Sequence, residues 1–224
     1  MFCQKCGTQM QHNQNACPSC HTPIAGPVSA AATAEKLKSA SQDAWQVLRT
    51  FGGNPVGGLS QAFEGLGPAR ALSVGVVFGC VFACCLALGY YSLFPVWGRP
   101  RGLIGFIKII VVALVPFVAL FGASAIARKI FRGEGSFGHD SFVAGASLLP
   151  YGIVAISASI LGMGNWEVVS VLLLFAVCLN ILMLFASATR ISKLSDQAAT
   201  VAIPFMLLIC AGLSKVIYCA MVTN

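Results

Sequence analysis

Charged side chains along this chain come in islands, and the stretches between them are long and apolar. From Ala69 onward the islands are Arg70, Arg99 with Arg101, Arg128 to Asp140, Glu167, and Arg190 to Asp196. The gaps approach the roughly 20 residues needed to cross a hydrocarbon core about 30 Å thick. They predict five membrane-spanning helices over roughly 70–91, 103–127, 140–162, 167–188 and 198–221. Before them the period changes. At 100° per residue, Leu37, Ala40, Ser41, Ala44, Leu48 and Phe51 share one face, flanked by Trp45 and Val47. Glu35, Lys36, Lys38, Gln42, Asp43, Gln46 and Arg49 take the other. This is the pattern of an amphipathic helix, and Gly52-Gly53-Asn54-Pro55 ends it. Its apolar face has either the bilayer surface or the bundle as a partner, and Trp45 suits the headgroup layer. Val56 to Gly67 forms a shorter amphipathic piece leading into the first span.

The chain therefore reads as an all-α polytopic membrane protein in four parts. Residues 1–24 form a small cysteine-rich module, and 25–33 a flexible linker rich in Ala, Ser, Thr, Gly and Pro. Residues 34–68 are juxtamembrane helices, and 69–224 the five-span membrane domain. Composition agrees: 57% of residues are apolar and 9% charged, where soluble domains carry about 25% charge. The net charge of +7 does not point to nucleic acid, because most basic residues sit beside the spans, where lipid headgroups meet them.

Their distribution also sets an orientation. With the N-terminus in the cytosol, that side holds Arg70, Arg128, Lys129, Arg132, Arg190 and Lys193. The other side holds Arg99 and Arg101, with Lys108 and Lys215 inside helix ends, where lysines snorkel. Tyr90, Tyr91, Phe94, Trp97, Trp166 and Tyr218 collect at that outer interface. The expectation is a multi-pass protein of the cell inner membrane, N-terminus inside and C-terminus outside. The chain opens on Met1-Phe2-Cys3 with no apolar run after a basic start, and so reads as lacking a signal peptide.

The ten cysteines fall into two groups. Cys80, Cys84, Cys85, Cys178, Cys210 and Cys219 lie in apolar spans, where a free thiol packs as a small hydrophobe. Cys3, Cys6, Cys17 and Cys20 form C-x₂-C, ten residues, C-x₂-C. Two residues between cysteines let one tight turn aim both sulfurs at a single ion, and Zn²⁺ takes four such ligands in a tetrahedron. Gly7 and Pro18 suit the two turns, and so small a segment needs a metal to fold it. Two disulfides, which require an oxidising compartment, or a site in which His12 or His21 replaces a cysteine, are the alternatives. A closed four-sulfur zinc site is structural and leaves no position for a substrate.

Within the spans, Gly75, Gly79, Ala83 and Ala87 recur every four residues, a stripe that lets another helix approach closely. It serves packing within one bundle or a homo-oligomer through the first span. Pro116, Pro150 and Pro204 sit inside spans, where they bend helices or, in a transporter, mark a binding site. Tyr151 and Asn180 are deep hydrogen-bonding residues that need partners, and are expected to join the third and fourth spans. His139-Asp140 opens the third span, with Asp140 placed to stabilise a helix N-terminus. No Asp, Glu, Arg or His lies at mid-membrane depth, where ion pathways place ionisable groups, and no catalytic motif of the common hydrolase, metalloprotease or phosphate-loop kinds occurs.

These features resemble bacterial members of the Yip (Ypt-interacting protein) family, five-span membrane proteins of which some carry an N-terminal zinc ribbon. The ribbon likeness rests on Cys3, Cys6, Gly7, Cys17, Pro18 and Cys20, and departs at His21, where such ribbons usually place Gly. The membrane likeness covers about residues 50–221. It rests on Asn54-Pro55-Val56-Gly57-Gly58 and Gly133-Glu134-Gly135-Ser136-Phe137, and on a third span containing Leu149-Pro150-Tyr151. The resemblance implies a non-enzymatic integral membrane scaffold or adaptor with a structural zinc ion and a protein partner at the cytosolic face. A small transporter or channel using the proline-broken helices is the second expectation. An intramembrane enzyme with the ribbon as an accessory is the third.

Overall fold

The computed structural model describes residues 30–54, 56–93, 102–162 and 165–222. Residues 1–24, with their four paired cysteines, and the stretch holding Phe94, Trp97, Arg99 and Arg101 lie outside the described residues. The chain divides into two units, Met1–Ser39 and Ala40–Asn224. Six helices are described: α1 (Ala30–Gly53), α2 (Gly58–Leu93), α3 (Gly102–Ile130), α4 (Phe137–Leu161), α5 (Trp166–Arg190) and α6 (Asp196–Val222). Five of them, α2 to α6, are long and apolar enough to cross a bilayer. This is the architecture of a multi-pass membrane protein.

Helix α2 is two pieces in one. Asn54 starts it, with its side-chain Oδ1 accepting from the Gly57 N–H at 2.8 Å and its carbonyl from the Gly58 N–H at 2.7 Å. At Gly67 the backbone leaves the helix, with φ 72° and ψ 164°, a conformation open to glycine at little steric cost. Pro68 follows, lacking an N–H and suited to a first helical turn. The juxtamembrane piece thus ends at Leu66 and the span begins at Pro68.

Helix α4 is the hub. From Gly138 to Leu149 every residue is buried, so this half of the helix has no lipid face. A helix buried all round needs neighbours on every side. One side joins Ala44 and Val47 of α1, Leu59, Val74 and Phe78 of α2, and Met183 of α5 around Phe142 and Ala146. The other joins Phe117, Leu120 and Ala123 of α3, Leu184 of α5, and Ala202, Ile203 and Met206 of α6 around Val143, Ala144 and Leu148.

The α2–α4 contact is the closest. These helices run parallel, and their near-contacts climb together in steps of seven. A Cβ on Gly138 would overlap the Pro68 carbonyl, one on Gly145 the Gly75 carbonyl, and one on Gly75 the peptide between Ser141 and Phe142. Further along, a Cβ on Gly152 would sit 3.3 Å from Cys85 Cβ, and one on Gly89 2.8 Å from the Ala155 carbonyl. A seven-residue step keeps one seam facing its partner. The small-residue stripe of the first span is therefore packed within the chain, but not against a single partner. Gly75 meets α4, while a Cβ on Gly79 would lie 2.7 Å from the Phe117 ring of α3.

Other expectations fare unevenly. Asn180 does join α5 to α4, its Nδ2 donating to the Ser147 carbonyl at 2.7 Å. Tyr151 instead packs half-buried against the α3–α4–α6 cluster. Helices α3, α4 and α6 run unbroken through Pro116, Pro150 and Pro204. Cys80, Cys84, Cys178 and Cys219 are exposed on the outside of the bundle. Of the span cysteines only Cys85 and Cys210 reach inward, Cys210 Sγ lying 3.5 Å from the Pro116 carbonyl. On α1 the buried face is the narrow row Ala40, Ala44 and Val47, whereas Trp45 is 59% exposed, with the Arg49 guanidinium over its ring. The bundle takes the small residues and leaves the indole outside.

Replacing Gly75 with Leu forces α2 off the α4 backbone, an overpacking costing about 3 kcal/mol. The outward Leu72, 42% exposed, should tolerate alanine at a cost of about 0.5 kcal/mol or less. Thermal melting of both variants in detergent checks the contrast, and equal shifts would refute the seam.

Candidate functional site

The bundle's polar chemistry gathers where α3 ends, α4 begins and the α5–α6 turn crosses. Asp140, fully buried, is the one acid inside the bundle among the described residues. Its carboxylate accepts from Arg128 Nη2 at 2.8 Å, from Arg128 Nε at 3.2 and 3.3 Å, and from Ser124 Oγ at 2.9 Å. Ser124 and Arg128 stand one helical turn apart on α3, so both side chains reach one acceptor. The remaining Arg128 nitrogen, Nη1, donates to the Gly135 carbonyl at 3.1 Å. This fork-to-carboxylate geometry is the strong form of the ion pair. A helix N-terminal role for Asp140 is thus secondary. Ser136 is the N-cap residue and makes no side-chain cap bond, while the Asp140 carboxylate turns to α3.

His139, the other half of the sequence pair, is also buried. Its Nδ1 lies 3.3 Å from Ser192 Oγ in the α5–α6 turn and 3.8 Å from Asp140 Oδ1. Phe63 of α2 meets its ring edge-on at 5.4 Å, and its Nε2 has no hydrogen-bond partner. Next to it a pocket of about 20 Å³ is walled by Ser124, Arg128, Ser187, Ser192 and Met206, among others. That is room for a single water.

Two turns close over this cluster, and each holds a basic residue in a left-handed conformation: Arg132 at φ 52° and Lys193 at φ 50°. At the end of α3 the Gly133 N–H bonds the Arg128 carbonyl at 2.8 Å and the Arg132 N–H approaches the Lys129 carbonyl at 3.4 Å. This is a Schellman ending with arginine where glycine is usual. The turns are tied to each other by the Glu134 N–H donating to the Ser192 carbonyl at 2.8 Å and by a Lys193–Glu134 ion pair at 2.6 Å. Gly133 allows the approach, since a Cβ there would sit 3.0 Å from the Ser192 carbonyl. Gly135, at φ 129°, leaves room for His139 Nδ1 in the same way.

Chemically this is a clasp. The carboxylate is saturated by donors and the guanidinium is occupied on all three nitrogens. Among the described residues no group of three or more His, Cys, Asp or Glu is placed to hold a metal ion. Cys3, Cys6, Cys17 and Cys20, the ligands expected from the sequence, lie outside the described residues. The sequence reading missed the Arg128–Asp140 pair. Its signal was an Arg at the end of one span and a lone Asp at the start of the next, with Ser124 one turn before the Arg.

No family model, curated protein or solved structure matches the chain.

Asp140→Ala leaves a mostly buried guanidinium without its partner, and breaking such a pair costs about 3–5 kcal/mol. The double variant Arg128→Leu/Asp140→Ala should recover much of that loss in detergent melting, and a double as unstable as the single would refute the clasp. Conversely, Arg132→Gly relieves a left-handed arginine and should raise stability by about 1 kcal/mol. A lower melting temperature would mean that the arginine side chain contributes more than its backbone strain costs.

Proposed function

We propose that the chain is a non-enzymatic membrane scaffold or adaptor that holds a zinc ribbon at the cytosolic face of the inner membrane for a protein partner. The observation that carries this reading is the engagement of Asp140. In a transporter or an intramembrane enzyme, ionisable groups converge on a hydrated space. Here the acid inside the bundle is saturated by Arg128 and Ser124 and fixes two turns to one another. The clasp makes that end of the bundle a firm platform, and α1 lies against the same end through Ala44 and Val47. Lys129, Arg132, Arg190 and Lys193 are exposed there, the basic side that favours the cytosol. Continuous helices through the three prolines also favour a scaffold over a transporter.

The ribbon rests on the spacing of Cys3, Cys6, Cys17 and Cys20, with Zn²⁺ as its structural ion. The likeness to zinc-ribbon members of the Yip family rests on that spacing and on the Gly-rich entries to the first and third spans.

Crosslinking in intact membranes, followed by purification of the full chain and of a chain lacking residues 1–24, tests the reading. A partner recovered with the full chain should be lost with the deletion. The Cys3→Ser/Cys6→Ser variant should lose one equivalent of zinc yet still insert. Unchanged crosslinks in the deletion, or zinc retained in the variant, would overturn the proposal.

A further inference from the structure

At the end of the bundle opposite the clasp lies a cavity of about 500 Å³, within the size range of ligand sites. Four helices wall it: Leu86 and Gly89 of α2, Ile109, Ala113 and Pro116 of α3, Ala155 of α4, and Lys215 and Tyr218 of α6, among others. The α2–α4 seam is tight at Gly89 and Ala155, so the space opens beside it, where Ala113 and Pro116 present little side-chain volume. Among the described residues the lining is almost wholly apolar and carries a single charge, the Lys215 ammonium.

That charge is out of balance. No acidic side chain pairs with Lys215 among the described residues. The only acid in the sequence near this end is Glu167, which is exposed on α5, a helix that does not line the cavity. Lys215 stands seven residues before the end of α6 and Lys108 six residues after the start of α3, so both lie about 10 Å in from the helix ends. A lysine at that depth reaches headgroup level with its stem lying along apolar surface. Tyr90 and Tyr218 add polar tips to the lining.

We propose that this cavity binds an anionic phospholipid, one acyl chain lying between α2, α3 and α6 and the phosphate meeting Lys215. Charge complementarity selects this occupant. A zwitterionic lipid fills the apolar volume equally well but gives the unpaired ammonium less, whereas an anionic headgroup supplies the missing counter-charge.

The test uses the full chain, delipidated in detergent and titrated with palmitoyl-oleoyl phosphatidylglycerol or phosphatidylcholine under native mass spectrometry. Phosphatidylglycerol should bind about fivefold more tightly, the effect of one lysine at a membrane surface. Lys215→Gln, at an exposed position, should erase that preference and Lys215→Arg keep it. Ala113→Phe should weaken both lipids by filling the volume. Equal affinities in the native chain, a preference that survives Lys215→Gln, or a folded Ala113→Phe variant that binds both lipids undiminished would each overturn the proposal.

Discussion

The structure depends on two backbones being allowed to touch. In lipid there is no hydrophobic gain from bringing one apolar helix against another, so association rests on close packing and on hydrogen bonds. The α2–α4 pair meets that requirement by removing side chains, with Gly75, Gly138 and Gly145 placed where any Cβ would overlap the facing main chain. The closeness then fixes other positions. Ser141 Oγ comes within 3.3 Å of the Leu72 carbonyl, Phe142 settles among Phe63 and Phe78, and α4 becomes fully buried along its first half. A helix so placed has room around it for α3, α5 and α6, and the two apolar clusters on either side of it follow.

A fully buried helix start creates an electrostatic requirement that the clasp answers. Burying a carboxylate costs several kcal/mol unless it is paired and its lone pairs are satisfied. Asp140 reaches zero exposure only because Ser124 and Arg128 come from one face of α3 and Gly135 bends the chain back toward the same arginine. The ion pair therefore says little about net stability, since an apolar substitute of equal volume can be as good. What it fixes is register. With Arg128 holding both Asp140 and the Gly135 carbonyl, α3 and α4 cannot slide along each other without exposing an unpaired buried charge. Tolerance of left-handed conformations at Arg132 and Lys193 fits the same picture, because the hydrogen bonds of the turns hold them in place.

Much of the membrane architecture is legible from hydropathy alone, since a span advertises itself by length and by missing charge. The five spans lie where the apolar stretches put them. Their ends are less legible. The third span reads as starting at Asp140, yet α4 starts at Phe137, because Gly138 and His139 are buried against Pro68 and Phe63, neighbours distant in sequence. The partner of Asn180 was hidden for a similar reason: polarity shows that a bond is needed, but only the helix rotation selects the Ser147 carbonyl over Tyr151. The apolar face of α1 divides in a way periodicity does not show: Ala40, Ala44 and the flanking Val47 are buried, while Trp45 on the other flank stays exposed. The Arg128–Asp140 pair leaves a sequence trace of two opposite charges bracketing a Gly-rich turn, which reads equally well as a charged loop.

The two ends of the bundle answer different problems, and their side chains differ accordingly. At the clasp end Asp140 pairs with Arg128 and Glu134 with Lys193, the turns lock, and the pocket beside His139 is no larger than a water molecule. At the opposite end the described helices contribute lysines and tyrosines but a single exposed acid, and among the described residues neither Lys108 nor Lys215 is in an ion pair. Tight α2–α4 packing at Gly89 makes that end wider elsewhere, because the helices on either side cannot follow a seam they do not share. Excess positive charge beside unfilled apolar volume is therefore a consequence of how the core is built. A molecule with one anionic group and a flexible chain resolves both deficits together, which is the chemistry of the proposed anionic phospholipid.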